Sequence, residues 1–169
     1  MSLLIRSFEP RDQDVARQLI LAGLGEHFGW IDETRNPDLD DIVANYVESG
    51  HVFVVAEING ELVGTGALIT ESKDASRIVR MSVKQTHRRQ GIGRALVAHL
   101  LKVASQKGFR QVKVSTEHDW KDAIGLYEHC GFNAYSRDDV NIYFSLVSPD
   151  LALEYKFSAK RCSRLCGCD

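Results

Sequence analysis

No apolar run in the chain approaches the roughly 18 residues that a membrane-spanning helix needs. The opening MSLLIRSFEPRDQD carries charges where a secretory leader needs an apolar stretch, so the expectation is a cytoplasmic protein with no membrane partner. Cysteine is sparse: Cys130 stands alone inside the chain, and Cys162, Cys166 and Cys168 crowd the last eight residues. That pattern is not a disulfide framework. His27, His51, His87, His99 and His129 lack the spacing of a metal-ligand set, and no metal site is expected. Excess charge of one sign is also missing. Lys and Arg total 21 against 23 Asp and Glu, a net charge of -2, so there is no global electrostatic reason to bind nucleic acid. Neither internal repeats nor low-complexity tracts interrupt the chain.

What is present is an ordinary globular composition, 44% hydrophobic and 26% charged over 169 residues, the size of one domain. We expect that domain to span 1–158, with 159–169 a Cys-containing tail outside it. LLIRSF reads as a strand, and Pro10 leads into a helix with Val15, Leu19 and Ala22 on one face. Asp38 is a candidate N-cap for a second helix carrying Leu39, Ile42, Val43, Tyr46 and Val47 and ending at Gly50. HVFVVAEINGELVGTGALI predicts a hairpin turning at Asn59-Gly60, and a third strand follows over 77–83. Ile92, Leu96, Leu100 and Val103 mark a long helix, RQVKVST another strand, and Ala123, Ile124 and Tyr127 a shorter helix closed by Gly131. Strand-like runs close the chain at 133–137 and 151–157, with IYFSLV between them undecided. Adjacent hairpins plus helical crossovers predict an α/β (α+β) fold with a mixed sheet flanked by helices.

The chemistry concentrates in VKQTHRRQGIGRAL, where a strand enters a two-glycine loop that opens directly onto the long helix. A helix start offers unpaired N–H groups and a positive dipole end, and glycine lets backbone approach a phosphate. Arg88, Arg89 and Arg94 add positive charge around that point. The G-x-x-x-x-G-K-[ST] loop is absent, and Leu96 breaks a G-x-G-x-x-G spacing. Taken alone, G-x-G before a helix is more often loop punctuation or a solvated helix start than an anion site.

Arg88-Arg89-Gln90-Gly91-Ile92-Gly93 resembles the acyl-CoA pyrophosphate loop, [RQ]-x-x-G-x-[GA], of the GNAT superfamily of N-acyltransferases. RMSVKQTHR resembles the family's splayed strand, and DAIGLYEHCGF its later helix, so the likeness runs from about Leu3 to Phe157. The resemblance implies an acyl-CoA N-acyltransferase fold, a mostly antiparallel mixed sheet with a splayed central strand pair. It also implies direct transfer of acetyl from acetyl-CoA to a primary amine, expected to be a small molecule. A protein or peptide acceptor and a non-catalytic acyl-CoA binding module are the alternatives.

On that resemblance, the amides from Gln90 through Gly91, Ile92, Gly93 and Arg94 to Ala95 hold the pyrophosphate, with Arg88 and Arg89 beside them. Met81, Ser82 and Val83 pair with the pantetheine arm, one of their N–H groups polarising the thioester carbonyl. Tyr127 is the candidate general acid for the departing thiolate. The strand position that often carries a carboxylate base holds Arg80, which leaves Glu71, Glu117 and His118 as base candidates. Trp120 stands where the family often has asparagine, lining the CoA or acceptor groove or covering the helix end. Glu26, His27, Phe28, Trp30, Asp32 and Glu33 form an acidic and aromatic stretch suited either to a cationic acceptor or to a plain solvated loop. A monomer or a homodimer is expected.

Overall fold

Asn59 and Gly60 both adopt positive φ, +52° and +82°, the left-handed pair that a two-residue hairpin turn demands. They join β2 (Val52–Ile58) to β3 (Glu61–Thr70) in antiparallel register, Ile58 opposite Glu61, with a bulge at Ala56/Glu57. β1 (Leu3–Ser7) pairs antiparallel on the other side of β2. The computed structural model describes residues 2–147. Over that span the strand order is β1-β2-β3-β4-β5-β7-β6, with β4 Ala75–Val83, β5 Gln111–Glu117, β6 Asn133–Arg137 and β7 Asn141–Val147. β4 and β5 pair in parallel over Ala75–Arg77, and β7 runs antiparallel to both β5 and β6. The helices are α1 (Gln13–Phe28), α2 (Ile92–Gln106) and α3 (Lys121–His129). The expected mixed, mostly antiparallel sheet with flanking helices is what forms. IYFSLV, undecided from sequence, is β7, and the strand expected at 151–157 lies outside the described residues, as does the tail from 159.

The chain divides into two compact units. The first takes the residues up to Thr70 together with Ile78–Val97; the second takes Glu71–Arg77 and the described chain from Ala98. In the first, Phe8, Ile20, Leu21, Leu39, Ile42, Tyr46 and Phe53 pack as one buried cluster. Leu96 of α2 sits against β3 at Gly64, where an added Cβ would lie 3.0 Å from Leu96 Cδ1 and 3.2 Å from the Ser82 carbonyl oxygen. The missing side chain therefore sets how closely α2 begins against the strands. In the second unit Val112, Val114, Tyr127, Phe132, Phe144 and Leu146 are buried.

Two elements differ from the sequence expectation. The face of α1 is turned: Ala16, Ile20 and Leu21 are buried while Val15 is exposed. Asp12, in the 3-10 turn Pro10–Asp12, accepts from Arg6 of β1 and from the Glu9 N–H, and this tether fixes the rotation at which α1 starts. The expected second helix is instead a 3-10 turn, Pro37–Leu39, followed by a π-helical turn, Val43–Val47. Glu48 N–H donates to the Val43 carbonyl and His51 N–H to that of Tyr46, each five residues back. Asp41 and Asn45 side chains take up neighbouring backbone groups, which competes with regular winding. Asp38 is not an N-cap. Its carboxylate is turned to Tyr46 and Arg80.

Candidate functional site

Within the first unit β4 is the edge strand from Ile78 onward, after β1, β2 and β3. Such an edge offers backbone donors and acceptors to an extended ligand. Met81, Ser82 and Val83 are half-buried there, and Lys84 N–H returns to the Val63 carbonyl at 2.8 Å, closing the strand. Gln85–His87 form a 3-10 turn, and the chain then passes through Arg89 at φ +64° and Gly91 at φ +82° into Ile92, the first residue of α2. The Ala95 N–H donates to the Gly91 carbonyl at 3.0 Å, tying the loop glycine into the first turn of α2. A helix start of this kind turns its first N–H groups and its positive dipole end toward an anion. A Cβ on Gly91 would meet nothing within 4 Å, so the loop stands open at that point.

The three arginines differ in what they do. Arg88 braces the loop: its Nε donates to the Val83 carbonyl at 3.0 Å, and its guanidinium pairs with Glu26 of α1 at 2.6 Å. Arg89 and Arg94 are exposed beside the helix start. Gln90 is exposed with Nε2 directed at the Thr86 carbonyl, and Ile92 is a buried anchor beneath the loop.

Arg80 was the departure from the family pattern, and its surroundings are the part of the site that sequence reasoning missed. Its guanidinium grips both carboxylate oxygens of Asp38, Nε to Oδ2 at 2.9 Å and Nη2 to Oδ1 at 2.5 Å, and Nη1 donates to Asn36 Oδ1 at 2.9 Å. Tyr46 donates its hydroxyl to Asp38 Oδ2 at 2.5 Å. Burial alone would raise the Asp38 carboxyl, but the bonds from Tyr46 and Arg80 outweigh it and hold the group below the usual carboxylate range. Burial, with the bond to Asp38, pushes Tyr46 up to about 12. Forty-two residues separate Arg80 from Asp38, and no local pattern joins them.

In the second unit Tyr127 packs its ring edge-on against Phe132, centroids 6.0 Å apart, and beside Phe144 at 6.2 Å. Burial pushes its hydroxyl well above the usual tyrosine value. It stays protonated near neutrality, as a proton donor must. Glu71 pairs with Arg77 at 2.5 Å and Lys113 at 3.1 Å; burial would raise its pKa, but these partners bring it below the usual value. That environment favours a fixed anion over a proton acceptor. Glu117 closes β5 half-buried, and His118 is exposed, with Nε2 2.8 Å from the Asp139 carbonyl oxygen. Trp120 occupies the N-cap position of α3, its N–H on the Glu117 carbonyl at 3.1 Å.

The acidic stretch after α1 is largely committed to the fold. Glu26 pairs with Arg88, Glu33 with Arg17, and Asp32 accepts from Thr34. Phe28, Trp30 and Ile31 remain exposed. Among the described residues no helix is long and apolar enough to cross a membrane.

The family model described as the acetyltransferase (GNAT) family matches residues 17–132. The chain is 32% identical to human N-acetyltransferase 8B over 124 residues, 70% of this chain and 55% of that protein. It is 33% identical to the uncharacterized N-acetyltransferase YjgM of Escherichia coli over 100 residues, 57% of this chain and 60% of that one. The chain thus spans little more than half the length of these relatives. Among solved structures it is similar to a GNAT-family acetyltransferase of Staphylococcus aureus Mu50, with TM-score 0.76, 23% identity, and 86% of this chain and 99% of that one covered. It is also similar to the PaiA N-acetyltransferase of Thermoplasma acidophilum in complex with coenzyme A, with TM-score 0.77, 16% identity, and 88% and 100% covered.

Proposed function

Because the chain belongs to the GNAT family of acetyltransferases, we propose that it transfers the acetyl group of acetyl-CoA directly to the primary amine of a small molecule. The observation that carries this reading is the continuity of an open strand edge, Met81–Val83, with a left-handed Gly91 and the start of α2. Pantetheine lies along the edge as an added strand, and the pyrophosphate meets the helix start, with Arg89 and Arg94 beside it.

In this mechanism the amine nitrogen attacks the thioester carbonyl carbon, and an N–H of β4 stabilises the oxyanion. The C–S bond then breaks. The thiolate takes the Tyr127 proton, and the proton shed by the amine leaves by a group near the acceptor or through water. The exposed Phe28, Trp30 and Ile31 offer an apolar resting surface for the acceptor.

Isotope-labelled acetyl-CoA incubated with a metabolite extract and a peptide mixture tests the reading by mass spectrometry. Labelled small amines are the expected products, and labelled peptides alone would move the acceptor to proteins. Tyr127→Phe should lower turnover about 100-fold, the scale of one general acid, with acetyl-CoA affinity within threefold of the wild type. A binding-only module is favoured by one observation, the carboxylate-bound Arg80 where a base often stands. That module predicts acetyl-CoA bound and intact, with no labelled product.

A further inference from the structure

Arg80 takes φ +54° in the middle of a nine-residue strand, a conformation that costs an L-residue about 1–2 kcal/mol. Among the described residues, the two other non-glycine residues with positive φ lie in a hairpin turn and in the loop before α2. A left-handed arginine inside β4 therefore needs something to hold it. We propose that Asp38, acting through the Arg80 guanidinium, is a positioning residue that locks this kink in β4 and thereby aims the Met81 N–H at the acyl carbonyl. The inference rests on the acetyl-CoA reading above and names the device that orients its oxyanion donor.

Two holds converge on Arg80 from different elements. On the side-chain end, both Asp38 oxygens and Asn36 Oδ1 bind the guanidinium, and Tyr46 anchors Asp38 in turn. On the backbone end, the Thr65 hydroxyl of β3 donates to the Arg80 carbonyl at 2.9 Å. The second hold fixes a direction. Among the described residues no peptide bond is cis, so across the Arg80–Met81 bond the N–H points opposite to the carbonyl. With that carbonyl turned to Thr65 on β3, the Met81 N–H points away from β3, off the open edge of its unit. A donor fixed before the reaction stabilises charge that develops beside it without reorganising. Side-chain clamping also explains why the wide π-helical turn is retained. It brings the Tyr46 hydroxyl to Asp38 and to within 3.3 Å of Arg80 Nε.

The competing role for Arg80 is a direct anchor for an anionic group on the acceptor. Isotope-edited infrared spectroscopy of acetyl-CoA labelled with carbon-13 at the thioester carbonyl separates the two without any acceptor. Bound to the wild-type chain, the carbonyl stretch should shift to lower wavenumber than in free acetyl-CoA. Arg80→Ala and Asp38→Asn should return it most of the way to the free value, with acetyl-CoA affinity within threefold. Arg80→Gly, which removes the clamp but accepts φ +54° without penalty, should keep more of the shift than Arg80→Ala. An unchanged shift in Arg80→Ala and Asp38→Asn overturns the proposal, and so does an Arg80→Gly spectrum no better than that of Arg80→Ala. Should Arg80→Ala fail to fold, Thr65→Val removes the backbone hold and must also weaken the shift. If the wild-type chain binds no acetyl-CoA, the functional reading itself fails, which is distinct from binding with no shift.

Discussion

At the scale of single residues, the same positive φ has opposite origins at two points of the site. Gly91 at +82° is a position where glycine is the default, and nothing around it would obstruct a side chain. The loss in Gly91→Ala is therefore backbone strain alone, about 1–2 kcal/mol. We expect a lower urea midpoint and, if the loop relaxes out of the left-handed region, about tenfold weaker CoA binding by calorimetry. Gly64→Ala keeps an allowed backbone but pushes on Leu96 and on the Ser82 carbonyl. It should weaken CoA binding by displacing the start of α2. Arg80, by contrast, is left-handed against its own preference and is held there by neighbours from Asn36 to Thr65.

At the scale of elements, the first strand, the turn before α1 and β2 are tied by one charged cluster. Arg6 donates to both oxygens of Asp12 at 2.7 and 2.9 Å and to Glu57 at 3.0 Å. The bond from Arg6 holds the Asp12 carboxyl below its usual range, despite burial acting in the other direction. Because the folded pKa lies under the unfolded value of about 3.9, the stabilisation is present above that value and is lost as pH falls through the folded one. Asp12→Asn should thus cost about 2 kcal/mol at pH 7 and progressively less below pH 4, measured by urea unfolding across that range. The rotation of α1 follows from the same tether. A helical wheel drawn from apolar spacing put Val15 inward, and the Asp12 anchor turned it to solvent.

At the scale of the whole molecule, a ligand that binds only the folded chain stabilises it by mass action, about 2.7 kcal/mol at 100 times its dissociation constant. CoA should raise the melting temperature by roughly 5–10 °C under those conditions, read by scanning calorimetry. Gly91→Ala should show a smaller rise at the same CoA concentration. Read alone, the sequence determined what is encoded within a few residues. The Asn59-Gly60 turn, the buried stripe of α2 at Ile92, Leu96 and Leu100, and the Arg88–Ala95 loop all follow from local dihedral preference and helical period. Only the tertiary structure decided what depends on distant partners. Asp38 is a cap by local pattern and a clamp in the fold, because Arg80, forty-two residues away, offers it a better partner than a helix N–H. The turn at Val43–Val47 has helical spacing, and bonding five residues back leaves no mark in that spacing. Glu26 and Glu33 make an acidic stretch in sequence, and in the fold Arg88 and Arg17 claim their charges. Spacing records local geometry, whereas a charge's role is set by whichever opposite charge the packed chain brings within hydrogen-bond reach.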